Sequence, residues 1–142
     1  MDECLIDTLR AAALRAFRGG PVLVAYAFGS RVSGRPLPGS DLDVGYYLRG
    51  YPRRGSLPLQ EEMRLAEEIS AAVERSVDLR SLAEAPLELR GRILEDGVRI
   101  FSGHDLERVA LERDTLGRYH DYKDEFSRMH AIRLRRVAAR GL

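Results

Sequence analysis

Cys4 is the only cysteine, so the chain has no means of forming an internal disulfide, and a reducing compartment is expected. No apolar run approaches the length of a membrane span, and Asp2-Glu3 is unlike the start of a secretory signal peptide. His104, His120 and His130 show no paired spacing with cysteine or acids, which argues against zinc. Neither sign of charge dominates: 23 basic residues face 22 acidic ones, leaving no global field to recruit nucleic acid or a membrane. Internal repeats and low-complexity segments are also missing. At 142 residues there is room for a core but not for a second, acceptor-binding domain. The expectation is one cytoplasmic domain over residues 1–142, with no membrane partner and no direct nucleic-acid binding.

What is present centres on Val22 to Tyr47, VLVAYAFGSRVSGRPLPGSDLDVGYY. Val22 to Phe28 is short, β-branched and aromatic, with Gly-Pro before it and Gly29-Ser30 after it, and reads as a buried strand. Residues 31–40 hold two prolines and two glycines and read as turn and loop, with one helical turn from Ser30 to Arg35 as an option. Asp41 to Tyr47 reads as a second strand, which puts Asp41 and Asp43 on one face. Two adjacent carboxylates are costly unless a cation lies between them, and Mg²⁺ suits carboxylate oxygens supplemented by phosphate. Gly29 clears the backbone for a phosphate, and Ser30 offers a hydroxyl and an N–H.

Gly29-Ser30, ten residues, then Asp41-Leu42-Asp43 resembles the signature of the DNA polymerase β nucleotidyltransferase superfamily. The small size resembles its minimal members, the MntA-like antitoxins that partner HEPN-domain (HepT) toxins. The likeness covers about residues 20–130, and its specific motif lies in Gly29–Ser30 and Asp41–Asp43. It implies an α/β fold with a small, twisted mixed sheet and helices mainly on one side. It also implies transfer of AMP from ATP to a tyrosine of a HEPN RNase, often encoded by the adjacent gene. Asp41, Asp43 and a third acid, Asp78, would hold two Mg²⁺ ions, while Gly29, Ser30, Arg31 and Ser40 would bind the nucleotide.

The rest of the chain fits an α/β pattern. Leu5, Leu9, Ala12, Ala13 and Phe17 form a helical stripe that ends at Gly19-Gly20-Pro21. Residues 48–58 read as an exposed loop carrying Arg49, Arg53 and Arg54. A clear amphipathic helix runs from Leu59 to Arg75, then a short strand at Val77-Asp78-Leu79-Arg80 turns Asp78 and Arg80 to one face. Pro86 to Gly97 reads as a helix and Val98 to Phe101 as a strand, completing a core at about 20–102. A helical region at about 105–140 follows, with Ser102 and Asp105 as candidate caps. Its expected buried face is Leu106, Val109, Leu116, Tyr119, Phe126 and Met129, and its basic tail suits a helix C-terminus. Tyr46 and Tyr47 read as packing residues, while Arg31 and Arg35 are candidates for neutralising triphosphate charge.

Two other functions fit the same residues. One is an antitoxin that acts by binding alone, for which clustered carboxylates have no use. The other is a small-molecule nucleotidyltransferase of the aminoglycoside type, for which the chain leaves little acceptor-binding room.

Overall fold

The structure, a computed structural model, describes residues 1–29 and 42–139. Helix α1 (Glu3–Phe17) starts where the Asp2 carboxylate accepts a hydrogen bond of 2.7 Å from the Leu5 amide. It stops before Gly19, whose φ of +75° suits a residue without Cβ. Strand β1 (Val22–Phe28) and strand β2 (Leu42–Leu48) are buried along their whole lengths. Helix α2 (Leu59–Val73) leads to strand β3 (Val77–Ser81), and helix α3 (Leu87–Asp96) leads to strand β4 (Val98–Ser102). Pro58 and Pro86 stand at the N-caps of these helices, and their carbonyls accept the first helical hydrogen bonds, from the Glu62 amide at 3.0 Å and the Arg90 amide at 3.1 Å. Helix α4 (Asp105–Ala139) closes the chain.

The sheet order is β3-β2-β1-β4. β1 pairs antiparallel with β2 and with β4, while β2 and β3 run parallel, so the sheet is mixed as the α/β expectation requires. Alternation along the strands sorts the core into two layers. On one face Val22, Ala25, Ala27, Val44, Tyr46 and Leu79 meet Leu9 and Phe17 of α1 and Leu65 and Ile69 of α2. This is the larger layer and carries the weight of helix packing. The other face seats Leu23, Val24, Tyr26, Phe28 and Tyr47 against Leu82 and Ile93, with Leu89 and Leu111 at its margin. Each large side chain sealed there is worth about 1.5–3 kcal/mol.

Helix α4 departs from the expected pattern. Tyr119 is buried and Leu116 half-buried, but Leu106, Val109, Phe126 and Met129 are exposed. The inward side chains are Thr115 and Tyr119, flanked by Leu111. The apolar spacing identifies the helix, but it cannot tell where the supporting sheet ends. The cap also differs from expectation: the Glu107 amide donates to Nδ1 of His104, while Ser102 Oγ bonds Asp105 at 2.7 Å.

Candidate nucleotidyl-transfer site

The site is built where β1 ends, β2 begins and β3 runs alongside. Asp43 lies opposite Phe28 of β1 and opposite Asp78 of β3. Neighbouring strands are spaced by about 4.7–4.9 Å, so in-register carboxylates on a shared face lie within reach of one ion. The shared face follows from the pleat: Asp43 alternates with Val44, and Asp78 with Val77 and Leu79, all three in the α1–α2 layer. Both acids therefore face the side of the sheet that holds Phe28 and Tyr47.

Their surroundings differ. Asp43 is only 5% exposed, and with Thr115 it is one of two buried polar side chains among the described residues. A carboxylate at that depth is costly unless hydrogen bonds or charge compensate it. Asp78 is on an edge strand, and its side chain is 40% exposed. It pairs with Arg80, its neighbour on the same face. An ion pair this open adds about 0–1 kcal/mol at most, and serves mainly to orient the carboxylate.

One pleat beyond Asp43 is Gly45, opposite Arg80. A Cβ there would lie 2.6 Å from the Leu82 side chain, which fills the space above the strand. Gly29, at the other side of the site, has no atom of the described residues within 4 Å of where a Cβ would project. Lacking a Cβ, Gly29 itself puts no side chain in the way of a group approaching its backbone.

Asp43, Asp78 and Gly29 thus come together at one corner of the sheet. Asp41, Ser30, Arg31, Arg35 and Ser40 lie outside the described residues. Among the described residues no group of three His, Cys, Asp or Glu side chains is placed to hold a metal ion. The two carboxylates that are described form a hard oxygen donor set, which fits Mg²⁺ and leaves positions for phosphate and water.

A cavity of 360 Å³ opens at the opposite end of β2, among Tyr51, Arg90, Glu107, Leu111, Asp114 and Arg118. Its two arginines are matched by two acids, so it has no net positive charge to hold a triphosphate. Nearby, the Tyr26 hydroxyl donates to Glu112 at 2.6 Å, and Arg108 donates to the other oxygen of Glu112 at 2.6 Å. This lock fastens α4 to β1. The i, i+4 spacing of Arg108 and Glu112 hints at their pair, but nothing local links either to Tyr26.

The family model for polymerase β nucleotidyltransferases matches residues 16–105. No curated protein matches the sequence. Similar solved structures include a chain of a toxin–antitoxin complex with AMP-PNP, 17% identical with a TM-score of 0.58, covering 91% of this chain and 98% of that one. A chain of an MntA–HepT toxin–antitoxin complex is 17% identical at a TM-score of 0.58, covering 94% and 99%. A third comes from a tri-AMPylated Shewanella oneidensis HEPN toxin in complex with an MNT antitoxin, 16% identical with a TM-score of 0.58, covering 94% and 99%. At such identities the likeness is one of fold.

Proposed function

This chain belongs to the polymerase β nucleotidyltransferase family, and from that premise we propose that it is an antitoxin that transfers AMP from ATP to a tyrosine of a HEPN-domain toxin. The observation that carries this reading is the juxtaposition of Asp43 and Asp78 across the β2–β3 ladder. A module acting by binding alone has no use for a buried carboxylate beside another acid. The similar toxin–antitoxin structures, one with AMP-PNP and one with an AMPylated toxin, favour this acceptor over a small molecule. So does the extent of the match, since those chains are covered almost completely.

In this proposal Asp41, Asp43 and Asp78 hold two Mg²⁺ ions, and Gly29, Ser30, Arg31 and Ser40 seat the triphosphate. When bound, the ions neutralise phosphate charge and stabilise departing pyrophosphate. Asp43, deep in the sheet, fixes the position of the reacting phosphates. Asp78, on the exposed edge strand, meets the incoming tyrosine hydroxyl and helps draw off its proton. The tyrosine oxygen forms a bond to the α-phosphorus as the bond to pyrophosphate breaks. Residues 1–142 act as one domain in the cytoplasm, and the partner is the product of the adjacent gene.

The test is intact-mass spectrometry of the neighbouring HEPN protein after incubation with this chain, ATP and Mg²⁺. Whole adenylyl additions are expected on the toxin. Asp43→Asn is expected to lower transfer by at least about a hundredfold while the fold and the complex survive. Chelation of Mg²⁺ is expected to stop transfer as well. A stable complex with no mass gain under any condition would instead establish neutralisation by binding.

A further inference from the structure

Beyond Tyr119, helix α4 leaves the domain. Every residue from His120 to Ala138 is exposed, a stretch of about 28 Å at the helical rise. Its last ties are at the base: Glu95 of α3 lies 3.6 Å from His120 and 3.9 Å from Lys123, and the Lys123 ammonium stands 5.0 Å from the centre of the Tyr119 ring.

The face that packs inward at Thr115 and Tyr119 continues outward, in steps of three and four residues, as Tyr122, Phe126 and Met129. Tyr122 stacks on Phe126, and Phe126 on His130, so this face is a continuous aromatic ridge. Phe126 is 59% exposed and Met129 64% exposed. A helical stretch that the described residues of the domain tie down only at His120 and Lys123 is marginal in water unless its apolar face finds a partner.

Charge along the arm indicates which partner. Its first half carries Asp121, Asp124 and Glu125 together with Lys123 and Arg128, and its second half carries Arg133, Arg135 and Arg136 with no acid. Along one edge of the ridge, Glu125, Met129, Ile132 and Arg136 follow at i, i+4, i+7 and i+11. That row reads acid, apolar, apolar, base. Turned head to tail against itself, it places acid on base and apolar on apolar at every step. A parallel arrangement in register would instead set Glu125 against Glu125 and Arg136 against Arg136 along this row.

We propose that residues 120–138 pair antiparallel with the same segment of a second copy of this chain. Glu125 faces Arg136 of the second copy, and Met129 faces its Ile132. The interface is isologous, so each contact occurs twice. It uses no residue of the carboxylate site and does not depend on the proposed transfer reaction.

Sedimentation equilibrium of the purified full chain, without toxin, tests the pairing, with circular dichroism to verify that each variant is folded. A concentration-dependent monomer–dimer equilibrium is expected. Glu125→Arg and Arg136→Glu each change both symmetry-related pairs from attraction to repulsion, and each is expected to weaken the dimer by roughly tenfold or more. The double variant exchanges the charges and is expected to restore it to within about threefold. A chain that stays monomeric at every concentration overturns the proposal. So does a dimer indifferent to both single reversals, which must form elsewhere. A monomer whose segment 120–138 gains hydrogen-exchange protection only when the HEPN toxin is added also overturns it, and assigns the ridge to the toxin.

Discussion

Gly45 separates Asp43 from Tyr47 on β2, and its missing Cβ is occupied by Leu82, the residue that follows β3. The contact couples the strand that carries one acid to the strand that carries the other. Gly45→Ala is expected to cost about 1–3 kcal/mol in urea unfolding, because Leu82 must leave its packed position. In a Leu82→Ala background the same change is expected to cost less, and a double-mutant cycle measures the difference. Asp41, Asp43, Gly29 and Ser30 were legible as a motif because they are local in sequence and set between strand-like runs. Asp78 was legible only as an acid sharing a face with Arg80, and the structure adds its in-register pairing with Asp43. The demand on Gly45 was not legible, since it arises from a residue that reaches the spot only after a helix and a further strand have folded.

Between helices, the decisive contact is Gly91 of α3 against Tyr119 of α4. A Cβ at Gly91 would lie 2.1 Å from the Tyr119 ring, so the two helices approach through the glycine. Gly91→Ala is expected to destabilise the protein by about 1–3 kcal/mol and to speed amide exchange in α4 before Tyr119, read by hydrogen-exchange mass spectrometry. The presence and order of the helices and strands follow from periodicity and from the prolines and glycines that punctuate it. The inward face of α4 does not, because α3 has ten residues and buries no α4 side chain beyond Tyr119. A repeating apolar face looks the same in sequence whether it is covered by the same domain or left outside it.

At the scale of the molecule, both faces of the sheet bury tyrosines, and burial is the largest cause of the raised pKa of each. Tyr26 is pushed well above the ordinary range, with a hydrogen bond to Glu112 adding to the shift. Tyr46 is raised by burial and by its 2.5 Å hydrogen bond to Glu62. Tyr47 is pushed up from 10.0 to about 12. The unfolded chain ionises these phenols first, so it binds fewer protons than the folded chain above pH about 10. Their contribution is complete below that pH and is lost as pH rises through the folded values. Urea midpoints are therefore expected to fall between pH about 10 and about 12, and Tyr47→Phe is expected to reduce that fall. The same two-sided burial bears on the pairing of Asp43 with Asp78. Sliding β3 by one residue would turn Asp78 and Arg80 into the apolar layer of α1 and α2, and Val77 and Leu79 out of it. A misaligned chain would then be not merely a chain with its carboxylates out of register but an unfolded one, and the folding reaction itself proofreads the candidate site.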